Sequence, residues 1–105
     1  MAITTHDFKA AILKALAHPN RLRILEVLRS GEICNCEIGP QLKLEQSNLS
    51  RHLQALSEAG LVFARRDGVR IMYRVADSRV FKLLDLASAL VRKQFTERAE
   101  LLEIL

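Results

Sequence analysis

Cysteine is scarce in this chain: its 105 residues hold two, Cys34 and Cys36, both within "GEICNCEI". Long apolar runs are missing as well, and none approaches the roughly 20 residues that a membrane-spanning helix needs. The start, "MAITTHDFKA", has neither a basic segment nor an apolar stretch before a small-residue cleavage site, so it does not read as a secretion signal. A cytoplasmic protein with no membrane contact is expected. In that reducing compartment two cysteines are a poor structural staple, which leaves metal binding, redox sensing or plain packing for them. The chain also lacks a glycine-rich phosphate loop, a His-Glu-x-x-His pair and a nucleophile–base set, and no histidine is close in sequence to either cysteine. It does not read as an enzyme. There is no internal repeat and no low-complexity tract, and the length suits one domain spanning residues 1–105.

Half of the residues are apolar, and the net charge is +4. The densest positive segment is 61–75, where Arg65, Arg66, Arg70 and Arg74 face a single acid, Asp67. A basic excess of this kind suits a polyanionic partner.

Apolar periodicity divides the chain into helices and one hairpin. Phe8, Ala11, Ile12, Ala15 and Leu16 recur at helical spacing over Asp7 to Leu16. In "HPNRLRILEVLRSG", Pro19 suits a first helical position, Leu22, Leu25 and Leu28 form a stripe, and Gly31 is a natural stop. A short helix is expected over Asn35 to Leu42, distorted or late in starting because Pro40 lacks a backbone donor. In "EQSNLSRHLQALSEAG", Leu49, Leu53 and Leu56 make a buried stripe that ends at Gly60. Ser47, Ser50, Arg51, Gln54 and Glu58 project from the opposite face. "LVFARRDGVRIMYRV" reads as two strands around Asp67-Gly68. A last helix, capped by Asp77 or Ser78, is expected to run to about Glu100 on Val80, Leu83, Leu84, Ala87, Leu90 and Val91.

A short helix, a tight turn and a helix with a free polar face form a helix-turn-helix, whose second helix enters the major groove of double-stranded DNA. The arginine hairpin after it adds a wing. The fold class is therefore mostly α with a β-hairpin, a winged helix-turn-helix. Arg51 suits guanine, Gln54 and Asn48 suit adenine, and Ser47 or Ser50 a base edge or phosphate, with Gln46 and His52 on the same helix. Arg65, Arg66 and Arg70 would supply salt-sensitive attraction to phosphates. His52 lies about 60° from the leucine stripe, which places it beside the core more than at a base edge. His18 suits a turn or a local backbone contact. The apolar stripes on both terminal helices, continued by Phe95, Leu101, Leu102, Ile104 and Leu105, are either packing within one subunit or a dimer surface.

"LKALAHPNRLRILEVL", "GEICNCEI", "QSNLSRHLQALSEAGLV" and "RRDGVRIMYRV" follow one another in an order that resembles the arsenic- and metal-sensing winged-helix repressors of the ArsR/SmtB family. The resemblance covers roughly residues 10–77. It implies a homodimer joined through the first and last helices, bound to a palindromic operator and released by an inducer. No constitutive cofactor is implied. In arsenite- or antimonite-sensing members the cysteine pair commonly has a third cysteine three residues on, where this chain has Gly39. The family's zinc site on the last helix begins Asp-x-His, where this chain has Asp77-Ser78-Arg79, with Leu90 and Lys93 at the later positions. Cys34 and Cys36 thus match a thiolate pair without its third donor. Arsenite, antimonite or another thiophilic ion is the leading expectation for them. Completion would then come from a small thiol, water or hydroxide, or a side chain such as His6 of either subunit. A redox switch is the alternative: a helix N-terminus favours thiolate, Glu32 and Glu37 oppose it, and a disulfide across one intervening residue is strained and labile. A packing role for both stays open.

Overall fold

A computed structural model describes residues 2–105. The elements are α1 (Thr5–Leu16), α2 (Pro19–Val27), a 3-10 turn (Leu28–Ser30), β1 (Ile33–Cys34), α3 (Asn35–Leu42), α4 (Gln46–Glu58), β2 (Val62–Asp67), β3 (Arg70–Val75) and α5 (Arg79–Ile104). The expected order of helices and hairpin holds, with one added strand.

Local chemistry sets the ends. Thr4 and Asp7 close a reciprocal capping box at the start of α1. His18 caps α2, its Nδ1 accepting from the Asn20 backbone N–H at 3.0 Å, ahead of Pro19 in the first turn. Gly31, at φ 120°, lets the chain leave the 3-10 turn. Ser78 makes no capping bond; Asp77 instead accepts the Arg79 backbone N–H at 2.9 Å and pairs with its guanidinium at 2.7 Å. That pairing holds the Asp77 carboxyl down at about 2.

The sheet order is β1-β3-β2, antiparallel throughout, with Ile33 opposite Tyr73, Cys34 opposite Met72, and Asp67 opposite Arg70. Two expectations shift here. The hairpin turns at Gly68-Val69 and not at Asp67-Gly68, because Asp67 and Arg70 form the last pair and Gly68 takes φ 63° at the first central position. β1 is a finding of the structure: two residues carry no periodicity, and their pairing is with a strand about forty residues on.

The core joins Leu16, Ile24, Leu25, Leu28, Ile38, Leu49, Leu53, Leu56, Leu61, Val62, Val80 and Leu84. Tyr73 and Val75 pack on it from β3, as alternation predicts for that face. Arg23 ties α2 to α3 by donating to the Leu42 carbonyl at 2.8 Å. Arg29 reaches Asp85 of α5 at 2.7 Å and lies over the Phe81 ring. Beyond that point α5 leaves the core. It runs to Ile104, past the expected end, and its buried residues are Val80 and Leu84. Of the other residues expected in its stripe, Leu83, Ala87, Leu90 and Val91 are exposed, as are Phe8, Ala11 and Ile12 of α1.

Candidate nucleic-acid interface and cysteine pair

α3, the turn 43–45 and α4 are held at close quarters. Lys43 ends α3 in the left-handed conformation, at φ 56°, and the Leu44 N–H reaches back to the Gly39 carbonyl at 2.9 Å. Gly39 is buried, and a Cβ there would meet the Leu44 carbonyl at 3.3 Å and Leu49 at 3.4 Å, so its lack of a side chain permits the approach. α4 buries Leu49, His52, Leu53 and Leu56. Burying a leucine stabilises by about 1.5–3 kcal/mol, and three of them fix which face of α4 turns outward. That outer face carries Gln46, Ser47, Ser50, Arg51 and Gln54, all exposed, with Asn48 half-buried at its edge. Gln54 is engaged locally, donating to Glu58 at 3.1 Å.

The remaining candidates divide. His52 is 7% exposed, its ring 4.4 Å from that of His18, and its Nδ1 accepts from Arg21 Nε at 3.2 Å. It stands behind the outer face of α4, as its angular distance from the leucine stripe predicts. Burial pushes its pKa down, and the nearby His18, Arg21 and Arg51 push the same way. On the wing, Arg65 forms a two-pronged pair with Glu32 at 2.5 and 3.2 Å and so faces its own protein. Arg66 and Arg70 are exposed, with no carboxylate within ion-pair distance among the described residues. Arg74 lies over Phe63. Sequence spacing could not show that Arg21 belongs with α4, since the two are brought together only by helix packing.

Cys34 is buried and caps α3, its Sγ accepting the Cys36 backbone N–H at 3.1 Å. Cys36 is exposed in the first turn of α3, and the two sulfurs are joined as a disulfide, with Cα atoms 5.1 Å apart. Cys34 also belongs to β1, opposite Met72 of the wing, so the pair touches both the helix-turn-helix and the hairpin. The Glu32 charge, expected to oppose thiolate formation, is offset by Arg65, which holds the Glu32 carboxyl below the usual range. Pro40 sits in the second turn of α3 and cannot donate to the Cys36 carbonyl four residues back. Among the described residues no group of three or more His, Cys, Asp or Glu side chains could hold a metal ion, so His6 of the same protomer does not complete the pair. A groove of about 430 Å³ opens beside Cys36, bounded by Pro40 of α3 and by Gln46 and Ser50 of α4.

No helix is long and apolar enough to cross a membrane among the described residues. The model of the family described as "Bacterial regulatory protein, arsR family" matches residues 18–63, from the cap of α2 into β2. The HTH-type transcriptional regulator Rv0081 of Mycobacterium tuberculosis is 41% identical over 103 residues, covering 93% of this chain and 87% of its own. Its crystal structure superposes with a TM-score of 0.82 at 36% identity, over 93% of this chain and 99% of that one. A probable mercury resistance operon repressor of Streptomyces lividans is 40% identical over 82% of this chain and 70% of its own. Two further structures are similar. One is the homodimeric winged helix-turn-helix DNA-binding domain Mb0332 of Mycobacterium bovis, with TM-score 0.77, 35% identity and coverage of 89% and 92%. The other is the antimony-specific transcriptional repressor AntR, with TM-score 0.74, 29% identity and coverage of 91% and 89%. With its polar α4 face, its basic wing and a likeness to Rv0081 that runs nearly from end to end, the chain belongs to the arsR family of bacterial regulatory proteins, DNA-binding winged-helix transcriptional regulators and not enzymes.

Proposed function

We propose that the chain is a homodimeric repressor that occupies a palindromic operator and leaves it when a thiophilic ion, arsenite or antimonite, binds Cys34 and Cys36. The observation that carries this reading is the position of the pair: both sulfurs meet at the first turn of α3, the element that positions α4. Soft ions prefer cysteine sulfur, and the pair offers two such donors. Among the described residues the protomer provides no third, so a small thiol, water or hydroxide, or His6 of the partner subunit completes the set. Likeness to an antimony-specific repressor and to a probable mercury resistance repressor supports a thiophilic inducer.

On DNA, Ser47, Asn48, Ser50, Arg51 and Gln54 meet base edges, Gln46 stands at the helix start, and Arg66 and Arg70 grip phosphates. Two α4 helices presented by a two-fold dimer match a palindrome. The dimer forms over the apolar faces of α1 and α5, which stay uncovered within the protomer, and likeness to homodimeric Mb0332 supports it. An ion gathered between the two sulfurs removes the Cys34 cap from α3, and Pro40 weakens that helix at the same place. α4 then turns away from its DNA-bound orientation. Ion and operator oppose each other by the same factor, typically about 1–3 kcal/mol. Replacing both cysteines by serine should leave operator affinity intact while abolishing release by arsenite in gel-shift titrations; release that persists in the double variant refutes the assignment.

One observation favours a second reading, a redox switch: the two sulfurs are bonded to each other. Oxidation of the dithiol by a peroxide gives the disulfide and two waters, the sulfurs giving up two electrons and two protons. Release of DNA by peroxide, with no response of the reduced protein to arsenite, would select it.

A further inference from the structure

The cleft between the start of α2 and the side of α4 is lined by His18, Asn20, Arg21, Asn48, Arg51 and His52, with a volume of about 290 Å³. No carboxylate lines it. Its two histidines are held in one protonation pattern by their neighbours. His18 Nδ1 accepts from the Asn20 N–H, and His52 Nδ1 accepts from Arg21 Nε, so in each neutral ring the proton resides on Nε2. Both Nε2–H groups are donors left without a partner among the described residues. His52 is more than nine-tenths buried, yet no buried side-chain nitrogen or oxygen lacks a partner, so its Nε2 opens to the cleft. Arg21 spends Nε on His52 and Nη1 on the Ala15 carbonyl, leaving Nη2. Asn48 and Arg51 make no side-chain hydrogen bond among the described residues.

A cleft lined by donors and cations, without an acid, takes an anion. Asn48 and Arg51 stand at the edge of the outer face of α4, so an anion seated here lies beside the duplex that this face reads. We propose that the cleft seats one phosphodiester of the DNA backbone, with His18 and His52 donating from Nε2 and Arg21 and Arg51 neutralising its charge, which makes DNA binding proton-linked. The inference rests on the DNA-binding reading. The groups facing His52 are His18 and Arg21 from the α2 side and Arg51 from its own helix. Burial and these neighbours disfavour its charging in the free protein. A phosphodiester reverses that balance. Duplex binding therefore takes up protons as pH falls through the histidine range, about 6.5 and below.

Two measurements test it on the full chain. In fluorescence anisotropy at low salt, a mixed-sequence 30-base-pair duplex should bind several-fold more tightly at about pH 6 than at pH 8. His52→Gln keeps an acceptor for Arg21 and a donor for the phosphate but cannot charge. Its affinity should change with pH much less than that of the wild type, while His6→Gln keeps the full gain. The second is ¹⁵N NMR of the wild-type imidazoles. Both cleft rings should show the Nε2–H form, and the duplex should move their titration to higher pH, whereas inorganic phosphate at equal ionic strength should not. Duplex binding with unmoved His18 and His52 overturns the seat. An equal rise with inorganic phosphate alone assigns the cleft to free phosphate and overturns the duplex assignment. No binding to any duplex overturns the DNA-binding reading itself.

Discussion

Between Leu16 and Leu84 the aliphatic side chains sink into a common core, where Ile24, Leu25, Ile38 and Leu56 show no solvent exposure. From Leu86 onward the same residue types lie on an uncovered helical surface: Leu86, Leu90 and Phe95 are each more than 60% exposed, and Val91 about half. Composition does not separate the two regions; the number of packing partners does. The winged helix closes on itself, whereas α5 is exposed at every residue but Val80, Phe81 and Leu84. The two-fold mate proposed above would cover the unused apolar stripe of this 26-residue helix.

The sharpest way to break the contrast is to charge the uncovered stripe. Leu90→Glu with Phe95→Glu should leave the winged helix folded but give monomers in sedimentation analysis, and weaken operator binding on the order of a hundredfold, since two half-sites are no longer engaged together. Next comes truncation on either side of the divide. Leu56→Ala should cost about 2–5 kcal/mol in urea unfolding, and Leu102→Ala, made in the monomeric Leu90→Glu/Phe95→Glu background, less than about 0.5 kcal/mol; equal costs would place α5 in the same core. The smallest effect concerns the wing. Arg66→Ala should reduce the salt dependence of DNA binding by about one unit of slope, and Arg65→Ala, whose guanidinium is already committed to Glu32, should leave that slope unchanged.

Much of the fold is legible in the residues. The leucine spacing of α4, Pro19 at the start of α2 and the arginine-rich hairpin each express a local rule, and the elements form where those rules place them, except that the hairpin turns one residue later. The polar face of α4 follows from the same leucines, because fixing what is buried fixes what is not. Other features have no local rule. β1 is two residues that become a strand only against β3. Arg65 reads as a phosphate-gripping residue until Glu32 is brought beside it. Arg21 and His18, more than thirty positions before His52, become its neighbours only once α2 packs on α4.

Helical periodicity, the presence of a hairpin at the wing, the adjacency of Cys34 and Cys36 and the basic character of 61–75 are written in the residues alone, because these depend on spacing within a few positions. Only the tertiary structure decided which arginines are spent on internal carboxylates, that Cys34 caps α3 while also lying in the sheet, that two imidazoles share one cleft, and that the stripe of α5 is left bare. Each of those depends on which surfaces meet when the helices pack. Ion pairing, tautomer and burial belong to such meetings and not to any one stretch of chain.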